Sequence, residues 1–520
     1  VPISQQGSVN TTSLIVPDLY VQIVPPQNLV LNGVPTNILG VVGTASWGPV
    51  DEPAIVGTMA DYAQQFGSIV PRRYDMGTQV ATAVQQGAQN FRCVRVTDGT
   101  DTAAYTVVPG SNASFTAIYT GSLGNNIILT LSTGSQPNTW ALSVLLPGFV
   151  PEIYDGLTGN GAVFWTGLAT AVNSGQGSQR GPSALIIASS GGTTASPAPF
   201  ALTLGASGAG SDGAVQVGSS QLVGSDTSGR TGMYALRGQS CGLALLADCD
   251  DSTTWTTQAG FGLDEGIYMI LTTPAGDAIT NAVTTIAATG LDSYGAKLMF
   301  GDWLWWSDQV NNTVRLVSPQ GFAAGRLANL SPEQSSLNKQ IYGIVGSQRT
   351  GNPGSGQNTT YASAELSALL GAGLDLICNP VPGGSYWGVR GGNNTSSNAA
   401  IDGDNYTRLT NYIAETLAAG MGQYVGQVIN SNLFQQIRST QLSFLNNMYG
   451  QGLLGSTDGS LPFSVICDTS NNPPSRTGLG YVQSDAQVQY QAINERFIVN
   501  VEGGQTVQVS VQTLPTGQVN

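Results

Sequence analysis

Short apolar runs that alternate with amphipathic stretches constrain what this chain can fold into more than any motif it carries. Ile38 to Val42 is apolar and closed by Gly43, and Phe91 to Val96 follows after a segment with helical spacing. In that segment Asp75 stands as N-cap, Met76, Val80, Ala83 and Val84 share one face, and the pattern stops near Gly87. The rhythm returns after about residue 225. Leu243 to Ala247, Ile267 to Leu271, Ala296 to Phe300, Ile341 to Val345 and Leu374 to Cys378 read as strands. Asp277 reads as the cap of a helix with Ile279, Ala282, Val283 and Ile286 inward and Gly290 at its end, and a further helix ends near Gly371. Near-continuous apolar strands separated by helices predict an α/β fold whose sheet is largely parallel and covered on both faces.

Between these two blocks, residues 98 to about 224 are rich in Gly, Ser, Thr and Asn, with alternating stretches at Ile127 to Leu131 and Trp140 to Leu146. Helix signals there are few and turn dipeptides frequent, so the segment reads as a mainly β insertion, peripheral and facing outward. Beyond residue 400, two amphipathic helices are expected. One runs from about Asp404 to Gly420, with Tyr406, Leu409, Ile413 and Leu417 on one stripe. The other runs from about Asn432 to Gly450, with Leu433, Phe434, Ile437, Leu445 and Met448 inward. Both chain ends are strand-like without an obvious partner. At the start these are Leu14-Ile15-Val16 and Tyr20 to Val24, including Val21 and Ile23. At the end they are Phe497 to Val501 and then Thr506 to Val511, including Val507, Val509 and Val511. The expected organisation is an N-terminal extended arm (1–24), a first part of the core (25–97), the inserted domain (98–225), a central α/β domain (226–400), a C-terminal domain (401–502) and a C-terminal extended arm (503–520).

Composition narrows the chemistry. The 520 residues contain no histidine, which excludes Ser-His-Asp and Cys-His nucleophile pairs and HExxH zinc sites. Lys297 and Lys339 are the only lysines, leaving few candidates for Schiff-base chemistry. With 31 acids against 17 bases and a net charge of −14, the chain lacks the basic footprint of a nucleic-acid binder. No apolar run is long enough to span a bilayer, and the first residues lack the pattern of a secretion signal, so a soluble protein made in a cytoplasm is expected. The five cysteines (Cys93, Cys241, Cys249, Cys378, Cys467) show no CxxC spacing. They read as buried thiols in a reducing compartment, with a Cys241–Cys249 bridge or a link between chains as the alternatives.

Three local features invite a chemical reading. Gly208-Ala-Gly210-Ser-Asp-Gly213 fits GxGxxG, but the strand-like Ala214 to Val217 follows where a dinucleotide site needs a helix N-terminus. Asp248, Asp250 and Asp251 follow an apolar strand, where three carboxylates could hold a divalent cation or simply cap a helix from a solvated loop. Trp303, Trp305 and Trp306 form the densest aromatic cluster, with Lys297 the only cation near in sequence, and read as packing. No catalytic, cofactor or metal site is expected, and on these residues the chain is no enzyme.

Beginning at Gly40, the sequence resembles the sheath proteins of contractile phage tails and related injection machines. The resemblance rests on Gly40-Val-Val-Gly43-Thr-Ala45-Ser-Trp-Gly48-Pro49-Val-Asp-Glu-Pro53, Asp61-Tyr62, Phe66-Gly67 and Arg95-Val96. It continues through Arg230-Thr231-Gly232, Ser318-Pro319-Gln-Gly321-Phe-Ala-Ala324-Gly325 and Trp387-Gly388-Val-Arg390. In the C-terminal part it rests on Tyr406-Thr-Arg408-Leu409, on Leu433-Phe434 through Gly455, and on Phe463-Ser-Val465-Ile-Cys467-Asp468 with Asn471-Asn472. The order of these motifs covers about 40–97 and 226–505; where relatives carry a threonine after Trp-Gly-x-Arg, this chain has Gly391.

The resemblance implies a mixed-sheet sheath core, with a subtilisin-like central part and a helical and β C-terminal part. It implies a virion tail-sheath subunit, assembled in the host cytoplasm into stacked hexameric rings around a tail tube. Its terminal arms (Leu14, Ile15, Val16, Val21 and Ile23; Val507, Val509 and Val511) would add strands to neighbouring subunits. Contraction would drive the tube through the host envelope for genome ejection, with baseplate and tail terminator proteins as further partners and no direct contact with nucleic acid or membrane. The C-terminal helices would line the lumen, which makes Arg438, with Gln435 and Ser439, the expected contact to the tube protein. A surface or carbohydrate-binding structural protein and, further off, a hydrolase-like enzyme are the competing readings.

Overall fold

The computed structural model describes residues 3–6, 20–23 and 31–501. Its centre is a sheet of seven strands: β1 (Leu39–Gly43), β2 (Pro53–Val56), β3 (Phe91–Arg95), β4 (Leu243–Leu246), β5 (Tyr268–Thr272), β6 (Ala296–Met299) and β7 (Leu374–Asp375). Their order is β7-β6-β5-β4-β1-β3-β2, and every neighbouring pair is parallel except the edge strand β2 against β3. The near-continuous apolar runs have their reason in this placement. In β4, Leu243 and Leu245 face one core while Ala244 and Leu246 face another, so polar residues have no side to occupy. Residues before and after the insertion thus build one sheet.

The Met76–Gln85 and Gln320–Asn329 helices cover one face, and Trp255–Asp264, Ile279–Thr289 and Ser363–Gly371 the other. Asp75 caps the first as expected, its carboxylate accepting from the Thr78 N–H. The glycines of the 318–325 motif also find their reason. On the Gln320–Asn329 helix, Gly321 and Gly325 lie one turn apart against the Met76–Gln85 backbone. A Cβ on Gly325 would sit 2.6 Å from the Ala83 carbonyl oxygen.

Several local expectations need correction. Asp277 is not the cap residue; that position is Ala278, and the Asp277 carboxylate instead accepts from the Asn281 side chain at 2.6 Å. The strand placed at Ile341 to Val345 runs Ile344–Ser347, because Gly343 turns the backbone through φ +85° just before it. Leu374 to Cys378 is divided. Leu374–Asp375 joins the central sheet, while Ile377–Cys378 pairs with Gly388–Val389. Trp303 and Trp306 are buried and Trp305 half-buried, with the Trp306 indole donating to the Gln85 side chain at 2.9 Å. All five cysteines are buried free thiols, so no Cys241–Cys249 bridge forms.

The insertion contains two antiparallel sheets. One holds Tyr105–Val107, Ser114–Ala117 and Ile186–Ser189; the other holds Ile128–Thr133, Trp140–Leu145, Glu152–Leu157 and Phe200–Thr203. It also holds a helix the composition concealed, Gly161–Ser174, which buries Phe164, Trp165, Leu168, Ala171 and Val172. The core reaches into it through buried Trp47, and through the Arg95 guanidinium, which donates to the carbonyls of Thr120 and Asp212.

The C-terminal part consists of the Asp404–Met421 and Ser431–Gly450 helices and an antiparallel pair, Phe463–Ile466 with Asp485–Val488. Leu433, Phe434, Ile437, Leu445 and Met448 are buried, as their spacing predicts. Phe497 to Val501 forms no strand among the described residues, which end just there with no partner strand beside them.

The glycine contact yields a direct expectation. Gly325→Ala should force the two helices apart and lower stability by about 1–3 kcal/mol, the usual range for overpacking. The check is chemical denaturation followed by circular dichroism.

Candidate assembly surfaces

The Asp404–Met421 helix collects two segments far apart in sequence, 31–34 and 490–491. Residues 31–34 run along its later turns: Leu31 packs into the C-terminal core, Gly33 abuts Tyr412, and the Val34 N–H donates to Thr416 Oγ1 at 3.1 Å. Residues 490–491 run along its earlier turns. Tyr490 stacks edge-on against Tyr406 and shares a 3.1 Å hydrogen bond with Thr410, and Asn405 Nδ2 donates to the Gln491 carbonyl at 3.0 Å. From there it passes Glu495 and Arg496, which line a crevice with Asp292, Arg390 and Asp402. Phe497, Ile498, Val499 and Val501 are 64–86% exposed, four apolar side chains in five residues facing water.

Beside this helix lies a sheet with open sides. Phe463–Ile466 and Asp485–Val488 pair only with each other among the described residues, so neither outer edge has a neighbouring strand there. Phe463 and Val465 face the helices while Ser464 and Ile466 face outward. Two strands alone make a marginal sheet, and bare edges are templates for another chain. Asp485–Val488 escaped the sequence reading, since Asp-Ala-Gln-Val carries too few apolar residues to stand out.

The expected site residues are distributed as follows. Leu14, Ile15, Val16, Val507, Val509 and Val511 lie outside the described residues. Val21 and Ile23 lie in Tyr20–Ile23, which pairs in parallel with Ile3–Gln6, so this segment does have a partner within the chain, contrary to expectation. Too few apolar residues in Ile-Ser-Gln-Gln announced that partner. On the Ser431–Gly450 helix, Gln435 and Arg438 are exposed and Ser439 half-buried. Arg438 Nε donates to the Val465 carbonyl at 3.1 Å, which ties the helix to the hairpin.

What fixes the Asp404–Met421 helix to the central sheet is a buried ionic cluster. Lys297 on β6 reaches Asp375 Oδ2 on β7 at 2.5 Å and Asp404 Oδ1, at the start of the helix, at 3.0 Å. Asp404 also accepts from Tyr268 Oη on β5 at 2.7 Å and from Ser336 Oγ at 2.5 Å. One turn along, buried Arg408 donates to the carbonyls of Leu330 and Ser331. Burial alone would neutralise Lys297, but the two aspartates outweigh it and hold its pKa above the ordinary lysine value. Asp404 is likewise held below the ordinary carboxylate value, because Lys297 and the hydroxyl donors outweigh burial. Burial draws the Arg408 guanidinium down to about 10.

Open α/β sheets place ligands where strand order reverses, here the crevice between the C-terminal ends of β1 and β4. Protein side chains fill it. Gln79 Nε2 donates to Asp248 Oδ1 at 2.8 Å and to Ser318 Oγ at 3.0 Å, and Gln79 Oε1 accepts from the Gly321 N–H at 2.9 Å. Asp250 pairs with Arg73, and Asp251 caps the short turn at Ser252–Thr254. The three aspartates therefore point to three different partners. Next to them Asp75 is wholly buried, and burial raises its pKa to about 7, partly offset by Thr78 and by Arg72. The GxGxxG stretch is a loop pinned to Thr102 and Tyr105, and 214–217, expected as a strand, is turn and coil with no helix of binding length after it.

No family model and no curated protein matches the sequence. Solved structures do match the fold. The sheath tail protein of Listeria innocua superposes with a TM-score of 0.58 at 14% identity, covering 85% of this chain and 90% of its own. That of Desulfitobacterium hafniense gives 0.55 at 16%, covering 86% and 93%. The contracted sheath of the PVC extracellular contractile injection system gives 0.53 at 11%, covering 94% and 97%. The chain has the mixed α/β fold of these sheath proteins. Among the described residues no helix is long and apolar enough to cross a membrane.

The buried Asp75 carboxyl has a consequence for pH. It keeps its proton to about pH 7 when folded, against an ordinary value of 3.8, so between these limits the folded state binds the additional proton. Its contribution is complete below about pH 4 and is lost as pH rises toward 7. Asp75→Asn, which retains the cap, should flatten that part of the stability profile relative to wild type, as measured by urea denaturation across the range.

Proposed function

We propose that the chain is the sheath subunit of a contractile tail or injection apparatus, built as stacked hexameric rings around a tube. The observation that carries this reading is the meeting of residues 31–34 and 490–491 on the Asp404–Met421 helix, beside a two-stranded sheet with no further strand on either side among the described residues. Arms that leave from one helix and a sheet that lacks neighbours are the two halves of a strand-exchange joint. Segments 1–24 and 503–520 of one subunit would complete the Phe463–Ile466 and Asp485–Val488 sheet of others. The self-pairing of Tyr20–Ile23 with Ile3–Gln6 is then a feature of the unassembled chain. The fold shared with the sheath tail proteins and with a contracted injection-system sheath agrees with this.

In this reading the subunit acts by position and not by catalysis. Strand exchange keeps the lattice connected while rings approach one another, and contraction drives the tube through the host envelope. The tube partner meets the polar face of the Ser431–Gly450 helix through Gln435, Arg438 and Ser439. Arg438 Nη1 and Nη2 make no hydrogen bond among the described residues and are free for a carboxylate, an exposed pair contributing about 0.2–1 kcal/mol per subunit. Baseplate and terminator proteins bound the lattice, and the inserted domain faces outward. The place of action is a virion tail assembled in the host cytoplasm.

Removal of residues 503–520 tests the reading. The shortened chain should keep its circular dichroism spectrum and solubility yet form no tubes or rings by negative-stain electron microscopy, where the full chain does. Tubes formed equally well by both chains would overturn it.

A further inference from the structure

The arrangement of Lys297, Asp375 and Asp404 goes beyond an ion pair. We propose that Lys297 and Asp375 condense to a side-chain amide, an isopeptide bond between β6 and β7, with Asp404 as the proton carrier. The inference does not rest on the proposed function.

Three features of the site favour the reaction. First, the reactants are held together and dry. Lys297 Nζ lies 2.5 Å from Asp375 Oδ2, an atom bonded to the carbon it would attack, and the three residues are 0–2% exposed. The Asn393 carbonyl, 3.0 Å from Nζ, holds the amine in place. Fixed proximity of this kind corresponds to effective concentrations of about 10⁵–10⁸ M, and exclusion of water removes the competing hydrolysis. Second, the carboxyl is polarised. Asp375 Oδ1 accepts from the N–H groups of Leu376 and Gly391, each at 2.7 Å, and Oδ2 from the Gly392 N–H at 2.7 Å. Two backbone donors on Oδ1 stand where negative charge develops when the carbon becomes tetrahedral. Third, a second carboxylate touches the amine. Asp404 Oδ1 is 3.0 Å from Nζ.

The step balances without a further reagent. The Lys297 ammonium gives a proton to Asp404 Oδ1, an uphill transfer from the charged resting state that makes the reaction slow, and the free amine so formed attacks Asp375 Cγ. Charge gathers on Oδ1 and returns as the C–Oδ2 bond breaks. Oδ2 leaves as water, carrying the proton relayed by Asp404 and a second one from the nitrogen. One ammonium and one carboxylate become one amide and one water. The buried charges stay matched, because Asp404 then faces Arg408 alone. Asp375 is the acceptor because its Oδ2 lies nearer Nζ, at 2.5 Å against 3.0 Å for Asp404 Oδ1. The bond would close a loop between residues 78 positions apart. It would do so in a chain whose cysteines are all free, by a linkage that reducing conditions leave intact.

Mass spectrometry of the full chain decides. The denatured wild-type protein should be lighter than its sequence by one water, and digestion should yield a branched peptide joining Lys297 to Asp375. Asp375→Asn should join with loss of ammonia in place of water. Asp404→Asn, with its fold checked by circular dichroism, should keep the unshifted mass. A wild-type chain of full mass with an unmodified Lys297 peptide would overturn the proposal, whatever the variants do. A branch to Asp404 would overturn the assignment of Asp375, and undiminished joining in Asp404→Asn would overturn the role of Asp404.

Discussion

The contact of Lys297 with Asp375 and Asp404 is the constraint on which the remainder of the structure hangs. A lysine in the middle of a two-sided sheet has no solvent to reach, so its charge must be met inside. The chain meets it with one carboxylate from the neighbouring strand and one from the first residue of the Asp404–Met421 helix. Removing one partner from such a pair costs about 3–5 kcal/mol, since the other charge stays buried. The cluster therefore fixes where that helix begins. Through the helix it also fixes residues 31–34 and 490–491.

This gives the fold a mechanical continuity. The exit segments at 31–34 and 490–491 rest on the helix, the helix rests on the cluster, and the cluster is part of the central sheet. Both segments are thereby tied to the seven-stranded sheet. The helix pair on one face of the sheet is as tightly set, with Gly321 and Gly325 against the Met76–Gln85 backbone. By contrast, the run at 497–501 is exposed, and the C-terminal hairpin has no neighbouring strand among the described residues. A net charge of −14 sets copies of this chain against one another electrostatically.

The central sheet was legible because burial on both faces forces long apolar runs, and a run such as Leu243–Leu246 admits few other readings. Capping was legible where a side chain alone decides it, as at Asp75, and misleading at Asp277, where the backbone starts one residue later. The Gly161–Ser174 helix stayed hidden because glycine and β-branched residues dilute its spacing, although Phe164, Trp165, Leu168 and Val172 keep it. Asp485–Val488 stayed hidden because an edge strand exposed on one face needs little apolar content. The cluster could have been suspected. Lys297, one of two lysines, interrupts the apolar run Ala296 to Phe300, and a charge there demands a partner. Which partner it finds is decided by tertiary contacts at separations of 78 and 107 residues, beyond any local pattern.

The central claim is that the hairpin of one subunit is completed by strands from others, and a cryo-EM map of the assembled particle tests it most directly. The account predicts that each Phe463–Ile466 and Asp485–Val488 pair carries additional strands along its outer edges, traceable to the ends of neighbouring subunits. Bare edges in the assembly, with both chain ends folded back on their own subunit, would contradict it.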